Sequence, residues 1–188
     1  MNFVITERQF DFAKKLLERR FFEVTNKIED AEAGIVDIHA RSTRKGDKRT
    51  LLLRIVEDTA TVVGVEILRS CIKARDEGGF AQAILIGGER YTYAARREAK
   101  LKDIELLHRR FLSIDLFMHE LVPEHVIITE DEVKELETKY GILRMQLPKI
   151  KAGDPAAKAI GARPGDVVQI IRRSATAGTH KVYRICVP

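Results

Sequence analysis

His119 and His125 flank Glu120 and Glu124, an arrangement that invites a metal ion. A zinc-type site needs its ligands convergent, and Pro123 interrupts any helix that could turn them to one face. Spacing places no third ligand, so local hydrogen bonding or surface exposure is expected and no metal. Cys71 and Cys186 stand far apart among apolar neighbours, with no CxxC or Cys/His spacing. That pattern predicts buried free thiols. No Ser or Cys sits in an elbow motif, so no catalytic nucleophile is assigned. Phosphate-binding loops are absent too. Gly78-Gly79 and Gly87-Gly88 do not make GxGxxG and read as a helix stop and a strand stop. No cofactor is expected.

Positive charge is the other chemistry available. Arg41, Arg44, Lys45, Lys48 and Arg49 crowd one turn, Arg90, Arg96, Arg97, Lys100 and Lys102 one helix, and Arg172 and Arg173 one strand end. Such groups can meet nucleic-acid phosphates without sequence preference. Exposed charge is also the default state of Lys and Arg. The formal net charge of +5 permits proximity to nucleic acid without requiring it. Trp is absent and aromatics are 6% of the chain, so a base-stacking platform is excluded.

The elements that would position these residues follow from periodicity and punctuation. With 188 residues, 45% hydrophobic, the chain suits one or two small domains. Thr6 can cap a helix reaching Arg20, with Phe10, Ala13, Leu16 and Leu17 at helical spacing. Strands are expected at Phe21 to Ile28 and Gly34 to Arg41, the latter with Val36, Ile38 and Ala40 on one face. A polar turn at 42–48 leads to a buried strand, Leu51 to Val56, broken only by Arg54. Helices over Thr61 to Arg75 and Arg90 to Lys102 alternate with strands Ala81 to Ile86 and Ile104 to Leu107. The first helix has Val62, Val65, Leu68 and Ile72 on its stripe, and the second has Ala94, Ala95, Ala99 and Leu101. This order predicts right-handed crossovers and a mixed sheet, an α/β domain over residues 1–115.

Residues 116–188 read as a small α+β domain. Thr129 and Glu132 form a capping box for a helix ending at Gly141. Asp154-Pro155 opens a shorter helix ending at Gly161. Arg163-Pro164-Gly165-Asp166 is a turn before strands Val167 to Arg172 and Lys181 to Val187, joined by a loop with Ala177-Gly178. In the last strand Tyr183, Ile185 and Val187 form the more apolar face and are the expected core face. That strand is also a plausible edge for another subunit. No apolar run approaches the roughly 20 residues of a membrane span. Met1 to Gln9 lack a signal-peptide core, so an intracellular soluble protein with no membrane partner is expected.

His119-Glu120-Leu121-Val122-Pro123-Glu124-His125 resembles the opening segment of the assembly domain found in the fifth-subunit family of archaeal and eukaryotic-type DNA-directed RNA polymerases. Gln146-Leu147-Pro148-Lys149-Ile150, Gly153-Asp154-Pro155, Pro164-Gly165-Asp166-Val167-Val168, Ile170-Ile171-Arg172, Thr176-Ala177-Gly178 and Tyr183-Arg184 follow in that family's order. Ile114-Asp115-Leu116-Phe117 and the segment from Gly161 to Asp166 are more similar to archaeal members. Archaeal members commonly consist of this domain alone, and eukaryotic ones add an N-terminal jaw with a nuclease-like fold. The resemblance implies partner-binding residues among His119 to His125 and at Gln146, Pro148, Asp154, Pro155, Arg172, Gly178, Tyr183 and Arg184. It also implies the largest polymerase subunit as partner.

Residues 1–115 fit the jaw layout but are more similar to restriction-endonuclease-type domains. Gly34 to Ile38 resembles their first catalytic strand, which would put a metal ligand at Asp37. Such nucleases need a second carboxylate and a lysine two residues apart on the next strand. With Arg54 at the lysine position, Leu52 takes the carboxylate position, and leucine binds no metal. Glu57 lies beyond the strand centre. The expectation is therefore a non-catalytic polymerase subunit with no metal. Its jaw-like domain would lie near downstream duplex DNA, with Arg41, Arg44, Lys45, Lys48, Arg96, Arg97 and Lys100 on phosphates. The alternatives are a metal-dependent nuclease fused to an assembly domain and a DNA-binding adaptor outside the polymerase. An archaeal-type protein would be cytoplasmic and a eukaryotic one nuclear.

Overall fold

A computed structural model describes residues 5–56, 62–174 and 178–188, the side chains of residues 173 and 174 excepted. The chain divides into two compact units, Met1–Ile114 and Asp115–Pro188.

The first unit opens with α1 (Glu7–Arg19), started by a capping box. Thr6 Oγ1 accepts from the Gln9 N–H, and the Gln9 side chain accepts from the Thr6 N–H. β1 (Phe22–Asp30), β2 (Ile35–Ser42) and β3 (Thr50–Val56) follow as an antiparallel meander. Then come β4 (Val62–Val63), α2 (Val65–Glu77), β5 (Gln82–Ile86), β6 (Arg90–Tyr91), α3 (Tyr93–Leu101) and β7 (Ile104–Leu107). The main sheet has the order β1-β2-β3-β5-β7, with β3, β5 and β7 parallel. The mixed sheet expected from the alternation of elements is present.

Both faces of this sheet are buried. Leu52, Val56, Ala83 and Leu85 pack with Leu68 and Cys71 of α2 and Ala95 and Ala99 of α3. Val36, Ile38, Ala40, Leu53 and Ile55 alternate to the other face and are also buried. α1 covers that side through Ala13, Leu16 and Leu17. Arg20, just past the end of α1, fixes it to β7. Its Nη1 and Nη2 donate to the two carboxylate oxygens of Glu105 at 2.6 and 2.8 Å.

Two helices begin later than their periodicity suggests. Val62-Val63 is a strand, not the start of α2, and pairs in parallel with Arg90-Tyr91. Gly64 caps α2, and Thr92, accepting from the Ala95 N–H, caps α3. The Thr92 N–H donates to the Val63 carbonyl at 3.1 Å, so each dipeptide exists through its distant partner. Val62 is therefore off the helical stripe. Ala94 and Leu101 also point outward, with Leu101 75% exposed. Thr61 and Glu57 lie outside the described residues.

Tyr91 ties the C-terminal ends of the parallel strands. Its hydroxyl accepts from the Gly87 N–H at 3.0 Å. It lies 2.6 Å from the Leu107 carbonyl and 3.0 Å from that of Leu85, either of which can take its proton. Burial pushes its pKa up.

In the second unit the elements are β8 (Glu124–Ile127), α4 (Glu130–Tyr140), β9 (Lys149–Lys151), α5 (Pro155–Ile160), β10 (Val167–Ser174) and β11 (Gly178–Val187). α4 has the expected capping box at Thr129 and Glu132 and ends at Gly141, whose φ of 63° suits glycine. Asp154 caps α5 by accepting from the Ala156 and Ala157 N–H groups. The sheet order is β8-β10-β11-β9, with β9 parallel to β11.

The last strand differs from expectation in two ways. Ile185 joins a core with Val133 and Leu136 of α4, while Cys186 joins a second core with Ala157 and Ile160 of α5. Helices cover both faces, so the strand has no single core face. At Ile185 it is also interior, paired with β10 on one side and β9 on the other, and Cys186 bonds to Gly165 and Asp166 opposite β9. Only its first half stands at an edge. Thr176 and Ala177 lie outside the described residues.

Tyr91→Phe is expected to leave the buried Gly87 N–H with only its long 3.4 Å bond to the Leu107 carbonyl and to cost about 1–3 kcal/mol in urea denaturation. Burial pushes the Cys71 thiol from its ordinary 9.0 up to about 11. A raised folded pKa means that the neutral thiol's contribution is complete below about pH 9 and is lost as pH rises to about 11. Stability should fall across that window in alkaline unfolding curves, less steeply in Cys71→Ala.

Candidate functional site

The nuclease-like position is built by β2 and β3. Their register sets Asp37 opposite Arg54 and His39 opposite Leu52. Arg54 Nε donates to Asp37 Oδ1 at 2.7 Å and Nη2 to Oδ2 at 2.6 Å. Nη1 donates to Ser70 Oγ at 3.0 Å, and Ser70 donates on to the Ile67 carbonyl. The two side chains are 9% and 18% exposed. Burial works to lower the Arg54 pKa, but the hydrogen bonds and charge of Asp37 outweigh it and hold the guanidinium above its ordinary value.

A fixed organic cation thus sits where a metal and a lysine would act. Both Asp37 oxygens face the guanidinium, and Leu52, which the resemblance sets at the second carboxylate position, is 1% exposed. Such a pair can hold two strands in register. Sequence reasoning found Asp37, Leu52 and Arg54. It missed Ser70, whose role depends on how α2 lies over β3.

The second unit carries a broad groove of ≈ 1480 Å³. One wall is the segment 117–125, the other is Lys149–Lys151 with Asp154, and Ile170, Arg172, Val182 and Arg184 lie between them. Phe117, Ile150, Ile170 and Val182 belong also to the α5-side core, so the groove opens over that face of the sheet. Of the expected partner residues, the groove gathers His119 to His125, Asp154, Arg172 and Arg184. Five lie elsewhere. Gln146 caps a 3-10 turn by accepting from the Leu143 N–H, Pro148 accepts from the Ile185 N–H, and Pro155 starts α5. Gly178 begins β11. Tyr183 packs on the α4 side and accepts from Gln169 at 3.0 Å. The sequence reading missed Lys151 and Val182, whose signal was the alternation in Lys149-Ile150-Lys151.

The two groove histidines are used locally. His119 Nδ1 accepts from the Leu121 N–H at 3.2 Å, and His125 Nδ1 donates to the Pro123 carbonyl at 2.8 Å. No group of three or more His, Cys, Asp or Glu residues suited to a metal occurs among the described residues. Cys71 and Cys186 are free and buried, as their neighbours predict. No described helix is long and apolar enough to cross a membrane.

The cations expected at phosphates form two groups in the first unit. Arg41, Lys45 and Lys48 are exposed around the β2–β3 turn, and the Arg44 guanidinium lies 4.3 Å over the Phe21 ring. Arg96, Arg97 and Lys100 are exposed on α3. β3, β5 and β7 run parallel, so the turn that starts β3 and the end of α3 that leads into β7 share one end of the sheet. Arg172 is exposed and lines the groove; the side chain of Arg173 lies outside the described residues.

Residues 5–113 match the restriction endonuclease family, and residues 114–186 match the C-terminal domain of RNA polymerase Rpb5. The chain belongs to the restriction endonuclease family through the first unit and to the Rpb5 family of polymerase subunits through the second. It is 58% identical over 73 residues to DNA-directed RNA polymerase subunit Rpo5 of Thermococcus celer, 39% of this chain and 89% of that one. It is 28% identical over 190 residues to subunit RPABC1 of DNA-directed RNA polymerases I, II, and III of Caenorhabditis briggsae, 99% of this chain and 88% of that one. A solved structure of EndoMS in apo form aligns with 53% of this chain and 45% of its own, at 18% identity and a TM-score of 0.39.

Removing one member of the Asp37–Arg54 pair leaves the other charge buried. Arg54→Ala is expected to cost about 3–5 kcal/mol, and the double change Asp37→Leu with Arg54→Met far less. Urea unfolding of both variants checks this. Equal losses would mean that the pair is not coupled.

Proposed function

We propose that the protein is a non-catalytic subunit of a DNA-directed RNA polymerase, with chemistry residing in the large subunits. The observation that carries this is the 58% identity of its last third to subunit Rpo5, along most of that protein's length. The second unit then acts as an assembly module that docks on the largest subunit. His119 to His125, Asp154, Arg172 and Arg184 are offered for contact around the groove, and Gln146, Pro148, Pro155, Gly178 and Tyr183 beside it. The first unit contributes to the jaw near downstream DNA. Its cationic sheet end, with Arg41, Arg44, Lys45, Lys48, Arg96, Arg97 and Lys100, faces phosphates. The likeness to RPABC1 along 99% of this chain supports such a two-part layout. Polymerase subunits of this family work in the cytoplasm of archaea and the nucleus of eukaryotes.

The first unit's endonuclease family favours a second reading, a metal-dependent nuclease. Against it stand the guanidinium on both oxygens of Asp37 and the leucine at position 52.

The tagged full chain, recovered from its own cell extract, should bring down the large polymerase subunits. Absence of those subunits sinks the first reading. Incubated with duplex DNA and Mg²⁺ or Mn²⁺, the pure protein should leave the DNA intact. Cleavage that disappears in Asp37→Ala would establish the nuclease.

A further inference from the structure

The sheet of the second unit is unfinished on one side. β10 pairs with β11 from Gly178 to Ile185, but β9 pairs only with Ile185–Val187. Among the described residues no strand lies beside Thr179–Tyr183 on the β9 side. The direction of the backbone groups there follows from the ladder. The Cys186 N–H donates to Asp166 on the β10 side, while the Ile185 N–H donates to Pro148 on the β9 side. Antiparallel pairing alternates with period two, so the N–H and C=O groups of Thr179, Lys181 and Tyr183 point to the open side. An edge of this kind is a template for another strand.

The surrounding charge selects the occupant. The strand sequences KIK, VVQIIRRS and GTHKVYRICV contain no Asp or Glu. Lys149 and Lys151 on β9, Arg172 on β10, and Lys181 and Arg184 on β11 give one sign of charge along the edge, while the carboxylates of Glu120, Glu124 and Asp154 line the groove beside it. Arg184 Nη1 donates to the Lys149 carbonyl at 3.0 Å where β9 stops, which keeps a cation at the junction. The edge is short, half-exposed and cationic. Like charges discourage a second copy of this chain from pairing there.

We propose that an extended, carboxylate-bearing segment of a partner polymerase subunit adds as a strand to Thr179–Tyr183 of β11, end to end with β9. Main-chain hydrogen bonds to Thr179, Lys181 and Tyr183 supply the pairing, and the flanking lysines and arginines select acidic side chains. This rests on the assembly reading above and gives the docking site a position, a geometry and a charge.

Hydrogen exchange on the full wild-type chain, free and assembled into its polymerase, reads the edge directly. Amides of Thr179, Lys181 and Tyr183 should slow on assembly, and those of His180 and Val182, already paired with β10, should change little. Lys181→Pro removes an outward N–H without touching the β10 ladder and should weaken association by roughly tenfold or more. Where that variant does not fold, Lys149→Glu with Lys151→Glu keeps the backbone and should weaken association while reducing its salt dependence. Unchanged exchange at the three amides in an assembled wild-type complex overturns the strand proposal and leaves the assembly reading standing. Wild-type chain that does not enter the polymerase overturns both.

Discussion

A guanidinium in the middle of an apolar strand has to meet a carboxylate, and the first unit is arranged so that it does. Arg54 stands between Leu53 and Ile55 on β3, a strand whose residues from Leu51 to Val56 are all buried. Leaving that charge unpaired would cost several kcal/mol. The β2–β3 register brings Asp37 opposite it, and Ser70 of α2 takes another of its donors. Slipping β2 by one residue would remove Asp37 and also send Val36, Ile38 and Ala40 to the wrong face. One ionic contact therefore supports the β2–β3 register and, through Ser70, the seating of α2.

The second unit depends on a different constraint. Its central strands are buried on both faces, α4 with one and α5 with the other. Two short helices cannot cover the whole sheet. The uncovered part on the α5 side becomes the groove, and the unmatched length of β11 becomes the open edge. The open edge follows from β9 being three residues long.

Much of this was legible in the chain, because the signals were local. Thr6 with Gln9, Thr129 with Glu132, and Asp154-Pro155 mark helix starts through side chains that reach their own backbone. Alternation in β2 and the lone Arg54 in β3 identified the sheet and the pair of positions that a nuclease would use. What stayed hidden depends on distant partners. Val62-Val63 and Arg90-Tyr91 are strands only because they meet, and their β-branched and aromatic residues fit a helical stripe equally well. The two-faced burial of β11 was hidden too, since Tyr183, Ile185 and Val187 outweigh Val182 and Cys186 in apolar size. Gathering the opening segment, Asp154, Arg172 and Arg184 around one groove needs the whole sheet order, which no spacing encodes.

The two units differ in the chemistry they present. In the first, the nuclease-like framework keeps its acidic strand residue, but an immobile cation now satisfies it. A divalent ion exchanges ligands and polarises a water, whereas a guanidinium has neither an open coordination position nor a proton to release near neutral pH. The pair adds rigidity to the sheet. In the second, no group of three or more residues suited to a metal occurs among the described residues, and the open edge proposed for docking offers backbone groups and charge. Main-chain pairing is permissive about side chains, so on its own it would accept many strands. In the proposed docking, the cations of β9, β10 and β11, strands that carry no carboxylate, would restore selectivity by disfavouring basic segments and further copies of the same edge.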